Sequence, residues 1–476
     1  MQSVAAALAR LGDLAASPTV SRLANAFAEA SHELALVGGP VRDAFLGREI
    51  NDLDFTTDAN PDQILAIVKP IAEGHWDIGR AFGTIGAKIA GETVEITTYR
   101  ADSYDGETRK PDVVFGSSLE DDLLRRDFTV NAMALRLPQL ALVDPSGGID
   151  DLLAKTLRTP AAPEISFGDD PLRMMRAVRF SSVLGFTLDL DTAAALEEMS
   201  DRIQNISAER VCEELSKLLR SATPRAGLEL LVDSGLAAFV FPELPALRLE
   251  IDEHHHHKDV YQHTLTVVEQ AIEYEVSRGN LDSPDLIVRL AALFHDIGKP
   301  ATRRLEPGGV VSFYHHDVVG SKLARKRLRA LRFDNDTINA VALLIELHLR
   351  FFGYTEGAWT DSAVRRYVRD AGDQLERLHI LTRADVTTRN RRKADRLGFA
   401  YDDLEHRISV LAEQEEMAAV RPDLDGEQIM RILELRPGRE VGEAYRYLLE
   451  QRLDDGPLGE EEATRRLQSW WAEREV

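Results

Sequence analysis

At 476 residues the chain is long enough for about three domains. Its hydrophobic content of 44% and charged content of 29% exclude a disordered or fibrous protein, and no apolar run approaches the roughly 18 residues that span a membrane. The net charge of −23 argues against a uniformly basic nucleic-acid binder, and a single cysteine, Cys212, excludes an intramolecular disulfide and suits a reducing cytosol.

The opening MQSVAAALARLGDLAA predicts an amphipathic helix rather than a signal peptide, within an N-terminal segment 1–31. Residues 32–155 predict a mixed α/β head, with strands at 34–37, 52–56, 84–89, 93–99, 133–137 and 142–143 separated by glycines and prolines. The polar, glycine-punctuated stretch 100–118 predicts a mobile loop. A helical neck follows over 156–245, ending at Pro242 and Pro245, and a helical body over 246–400 carries most of the histidines. The acidic tail, 401–476, predicts helices near 427–435 and 460–474. The fold class is therefore α+β: a mixed sheet with helices, then an all-α neck and body. Basic residues cluster at 322–329, at Arg365, Arg366 and Arg369, and at Arg389 to Lys393, which form either one basic surface or several solvated helix faces.

The head holds the first chemistry. Asp52 and Asp54 stand one residue apart, so a strand sends both carboxylates to one face while Leu53 and Phe55 point into the core. Paired hard-oxygen ligands on a rigid strand suit Mg²⁺ held jointly with substrate phosphates. Upstream, Gly38 and Gly39 end an apolar run and Pro40 opens a helix. Glycines admit a triphosphate to the backbone, and a helix N-terminus offers it free N–H groups. Arg42 can hold the triphosphate and Asp43 support the site. Glu95, a carboxylate inside an apolar strand, completes a three-carboxylate site for two metals; the alternative is a solvent-facing strand position.

Two further strings concern the nucleotide. In Arg125-Arg126-Asp127-Phe128-Thr129-Val130-Asn131, Arg126 and Asp127 can bond ribose hydroxyls and phosphate oxygens, with Asn131 ordering the turn. In Asp169-Asp170-Pro171-Leu172-Arg173-Met174-Met175-Arg176-Ala177-Val178-Arg179, Asp170 and Arg173 share a helix face. A carboxylate beside a guanidinium matches cytosine and adenine, which pair an amino donor with a ring-nitrogen acceptor, and rejects guanine and uracil. The alternative is a helix cap with an intrahelical ion pair.

In this order the strings resemble class II CCA-adding tRNA nucleotidyltransferases and the related bacterial poly(A) polymerases, of the polymerase-β-like superfamily. The resemblance covers residues 30–240, including Asp150-Asp151-Leu152 and Glu209-Arg210-Val211-Cys212-Glu213-Glu214. It implies metal binding by Asp52 and Asp54, ribose contacts by Arg126 and Asp127, base templating by Asp170 and Arg173, and nucleotide contacts by Arg176 and Arg179. One departure is visible: the chain writes Asp169-Asp170 where the family usually writes Glu-Asp. The implied reaction adds C, C and A to a tRNA 3′ end from CTP and ATP, with Mg²⁺ and without a nucleic-acid template.

In the second half, His263, His295-Asp296, His316, His348 and Asp385 follow at widening intervals on helical text. Imidazoles and carboxylates spread over several helices suit a divalent transition metal or a two-metal hydrolytic site. The spacing resembles an HD-domain phosphohydrolase with every ligand position filled. The run His254–His257 reads as surface, because adjacent residues cannot all converge on one ion. Two rival functions are poly(A) polymerase, against which the acidic tail speaks, and an HD phosphohydrolase whose head merely binds nucleotides. Neither a membrane nor an oligomeric state is indicated.

Overall fold

The computed structural model describes residues 3–100, 116, 118–249, 259–279, 281–307, 311–356, 359–387, 390–415 and 421–474. Contacts divide the chain into two units, Met1–Pro245 and Ala246–Val476. In the first, seven strands form: β1 (Leu34–Val37), β2 (Leu53–Thr57), β3 (Gly74–Trp76), β4 (Thr84–Ile89), β5 (Glu92–Thr98), β6 (Ala134–Leu137) and β7 (Ala141–Val143). They build one sheet in the order β3-β4-β5-β2-β1-β6-β7. Central β2 pairs antiparallel with β1 and parallel with β5, with Asp54 opposite Glu95.

Alternation decides what each face of the sheet does. Leu53, Phe55, Val94, Ile96, Ile85 and Ala87 are buried, so the intervening residues of β2, β5 and β4 make the other face. Asp54, Glu95 and Gly86 lie opposite one another across these three strands, and Thr56, Thr97 and Thr84 form the next row. Thr84 and Thr97 confirm that shared face by a hydroxyl–hydroxyl bond of 2.9 Å.

Several elements differ from expectation. Segment 1–31 is two helices, Val4–Ala15 and Pro18–Glu29, because the Ser17 hydroxyl caps the second and Pro18 opens it. Strand β3 was missed: Gly74-His75-Trp76 is three exposed edge residues without apolar alternation. The neck and body are helical, and each also holds a two-stranded ladder, Thr156–Leu157 with Thr187–Leu188 and Arg304–Leu305 with Val311–Ser312.

In the second unit, helices Val260–Arg278, Leu286–Phe294, His316–Ala330, Asn335–Leu347 and Leu375–Ala384 carry the histidine text. The tail adds an unexpected helix, Arg439–Asp455, to the two expected ones, here Gly426–Leu433 and Glu460–Arg474. These three share a small core of Ile429, Ala444, Leu448, Ala463 and Leu467. Arg365 bonds the Leu453 carbonyl, Arg366 pairs with Asp454 and Arg369 with Asp370, so this part of the basic text is spent on internal partners. Among the described residues no helix is long and apolar enough to cross a membrane. Residues 101–115 and 117 of the expected loop, His254–His257 and Arg389 lie outside the described residues.

Candidate active site

Positive φ of 74° at Gly38, where a side chain would be strained, turns the chain from β1 into helix Gly39–Leu46, with Pro40 in its first turn. The next strand brings Asp54 to the site face, and Asp52 precedes it by two residues. Burial first, then Glu95, opposed by Arg126 and reinforced by Asp52, pushes the Asp54 carboxyl up to about 6. Asp52 and Glu95 thus act on Asp54 through their charge and are the oxygen donors a divalent cation takes, but both are exposed, and among the described residues the three carboxylates are not drawn within 4.8 Å of one another.

Two cavities open on this row. One, of about 840 Å³, is lined by Gly38, Gly39, Arg42, Asn51, Asp52, Asn131, Arg179, Phe180 and Lys217, among others. The other, of about 450 Å³, is lined by Thr84, Thr97, Arg100, Asp122, Arg125, Asp169, Asp170, Arg173 and Arg210, among others. Asp54, Glu95, Arg126, Asp127 and Arg176 line both. Asp54 and Glu95 thus lie where a space lined by Gly38, Gly39 and Arg42 adjoins a space lined by Asp170 and Arg173.

A hydrogen-bonded chain sets the shared wall. Arg42 grips both oxygens of Asp43 at 2.9 Å and donates to Asn131 Oδ1 at 2.7 Å. Asn131 donates to Asp127 Oδ1 at 3.0 Å, and Arg176 donates through Nε to Asp127 Oδ2 at 2.7 Å. Burial alone would raise the Asp127 carboxyl, but Arg176, Asn131 and the Phe128 N–H hold it well below the usual carboxylate range. The guanidinium of Arg179 lies 4.0 Å from the Phe180 ring centroid and donates to Glu214 at 2.6 Å. Arg126 donates to Asp122 at 3.1 Å, and its Nε is buried without a partner.

Asp170 and Arg173 do not form the intrahelical ion pair weighed from sequence. Asp170 precedes helix Leu172–Leu184, accepting from the Leu172 N–H at 3.1 Å and from Arg210 at 3.1 Å. Arg173 points elsewhere: its Nη1 donates to Ser166 Oγ at 2.8 Å and its Nη2 to the Arg125 carbonyl at 2.6 Å. Ser166, Arg210, Lys217 and Arg100 escaped the sequence analysis. Only Arg210 stood in a quoted motif.

The second unit holds two groups of metal-ligand type, His263, His295 and Asp385, and Asp296, His316 and His348, the atoms of each group within 4.8 Å of one another. All six predicted residues therefore converge. His295, His316 and His348 each direct Nδ1 to a carbonyl three residues back, Ala292, Phe313 and Ile345, at 2.6–2.9 Å. That presents Nε2 to the cluster, the usual support of a ligating imidazole. His348 Nε2 is buried with no partner, and burial together with His295 pushes this imidazole down to about 4, leaving it neutral with a free lone pair. Such an orphaned acceptor fits a metal ligand. Lys299, not foreseen, pairs with Asp296 at 2.6 Å; its position one turn past Asp296 in His295-Asp296-Ile297-Gly298-Lys299 was the available signal.

Residues 34–158 match the poly A polymerase head domain, 185–247 the probable RNA and SrmB-binding site of polymerase A, and 260–390 the HD domain. The A-adding tRNA nucleotidyltransferase of Deinococcus radiodurans is 34% identical over 92% of this chain and 95% of its own length. The CC-adding tRNA nucleotidyltransferase of Thermus thermophilus is 33% identical over 91% and 93%. A crystal structure of the Bacillus stearothermophilus CCA-adding enzyme in complex with CTP superposes with a TM-score of 0.69 at 25% identity, covering 95% of this chain and 97% of that one. A polymerase-type head followed by an HD domain defines the class. The chain belongs to the tRNA nucleotidyltransferase family, and it is a nucleotidyltransferase.

Proposed function

We propose that this chain extends tRNA 3′ ends with C, C and A from CTP and ATP, without a nucleic-acid template. The observation that carries the reading is the Asp54–Glu95 row shared by two cavities, one lined by Gly38, Gly39 and Arg42 and one by Asp170 and Arg173. The triphosphate lies against Gly38, Gly39 and Arg42, with Asp43 and Asn131 fixing the Arg42 guanidinium. The ribose lies at the shared wall beside Arg126 and Asp127. Asp170 accepts the amino hydrogen of cytosine or adenine while Arg173 donates to the ring nitrogen, and guanine and uracil meet mismatched groups. Arg176, paired with Asp127, and Arg179, paired with Glu214, complete the adjoining wall. The tRNA 3′-hydroxyl attacks the α-phosphate and expels pyrophosphate. Divalent metal held by Asp52, Asp54 and Glu95, for which Mg²⁺ suits the oxygen donors, would lower the pKa of that hydroxyl and stabilise the leaving group.

The test supplies CTP, ATP, GTP and UTP, singly and together, to tRNA ending at the base before CCA and to tRNA ending in CC, and sequences the products. Addition of CCA followed by arrest supports the proposal. The two near-full-length relatives favour a second reading, in which one chain adds only A or only CC; extension restricted to one of the two tRNAs would establish it. A long A tail would instead indicate a poly(A) polymerase.

For the second unit we propose a divalent transition-metal centre that hydrolyses phosphate esters, such as 2′,3′-cyclic phosphates or phosphate monoesters at damaged RNA ends. The orphaned His348 Nε2 and the two convergent ligand groups support it. Retention of phosphatase activity in a His295→Ala, Asp296→Ala double variant would contradict it.

A further inference from the structure

The carboxylate row does not stop at β4. Trp76 of edge strand β3 lies opposite Gly86, and Gly86 lies opposite Glu95, so Trp76, Gly86, Glu95 and Asp54 follow one another across four strands on one face. The indole folds over Gly86: a Cβ at that glycine would sit 2.0 Å from Trp76 Nε1. The glycine is thus the space the ring occupies, and the ring is a single strand spacing, about 5 Å, from the column of Glu95. Trp76 nonetheless keeps 36% of its surface exposed. On the same face, two residues beyond Gly86, stands Lys88, also exposed, opposite Gly74 of the same edge strand.

We propose that Trp76 is a stacking platform for the single-stranded 3′ end of the acceptor tRNA, with Lys88 meeting its backbone phosphate. An aromatic face beside a cation is how single strands are held without regard to sequence, each base offering a π-face. The occupant follows from continuity with the site. The acceptor must bring its terminal hydroxyl to the Asp54–Glu95 row, whereas the nucleotide's triphosphate, ribose and base have their own walls in the two cavities, neither of which Trp76 lines. A platform indifferent to base identity also suits an end whose last residue changes with each addition. The inference rests on the proposed tRNA-extending function of the head.

The test is steady-state extension of tRNA lacking CCA by wild type, Trp76→Phe and Trp76→Leu, varying tRNA and CTP separately. Leucine covers Gly86 without a π-face, so it separates stacking from packing. Loss of one stacked base predicts a rise of about tenfold in KM for tRNA in Trp76→Leu, with KM for CTP within about twofold of wild type, and a rise below about threefold in Trp76→Phe. Tryptophan fluorescence supplies a second readout, because quenching by tRNA that is lost in Trp76→Phe reports the indole itself. An unchanged KM for tRNA, or equal rises for tRNA and CTP, would overturn the platform alone. No extension by the wild-type chain would overturn the assigned function and the platform with it.

Discussion

Arg173 bonds Ser166 and the Arg125 carbonyl with one nitrogen each, which fixes the plane of its guanidinium before any base arrives. Ser166→Ala removes one of these anchors. A hydrogen bond to a charged group is worth enough that the ratio of kcat/KM for CTP over UTP should fall roughly tenfold, while Ser166→Thr keeps it. Asp127 makes a different prediction. Its carboxyl lies below its unfolded value, so its stabilisation is complete above that value, near 4, and is lost as pH falls towards the folded one. Wild type should therefore exceed Asp127→Asn in denaturant stability by a constant margin from pH 7 to about 5, with the margin shrinking only in stronger acid. A margin that already shrank between pH 7 and 5 would contradict the ion-pair account.

Among elements, helices Val260–Arg278 and Leu286–Phe294 are tied by a fully buried ion pair in which Glu275 accepts from Arg289 Nε at 2.9 Å, with Ser283 and the Asp285 N–H satisfying it further. Glu275→Ala removes the buried carboxylate to which Arg289, Ser283 and the Asp285 N–H all donate, and should cost about 3–5 kcal/mol in denaturant unfolding. These helices bear His263 and lead into His295 and Asp296, so the pair also helps hold these three side chains together. Much of this scale was legible in the text. β2, β4 and β5 were foreseen to within a residue or so, and alternation with Leu53 and Phe55 placed Asp54 on the open face, whereas Asp52 lies one residue before β2 and Glu95 is exposed. β3 was not legible, since an exposed three-residue edge has no burial pattern to read. Helix Arg439–Asp455 was missed for a related reason: its charged sequence hides a narrow apolar stripe through Ala444 and Leu448. Ser166 and Trp76 matter only through what they touch, and contact across distant sequence leaves no local trace.

At the scale of the whole molecule, each unit holds a ligand-type group whose surroundings disfavour it without a cation: the Asp54 carboxyl, buried beside Glu95 and Asp52, in the first, and the orphaned His348 Nε2 in the second. Metal that binds only the folded chain adds stability by mass action, about 2.7 kcal/mol at a hundredfold excess over Kd. Adding Mn²⁺ or Co²⁺ to chelator-treated protein should raise the melting temperature, and His348→Ala should lose most of the increment contributed by the second unit. An increment identical in His348→Ala would remove this residue from the metal centre. In the first unit, the proposed function has nucleotides join tRNA at the Asp54–Glu95 row. Its most direct test is transfer of labelled CMP and AMP to tRNA lacking CCA, comparing wild type with Asp54→Asn at matched folding. Wild type should add three residues ending in A, and the equally folded variant should give no product. Extension by Asp54→Asn at the wild-type rate would contradict it.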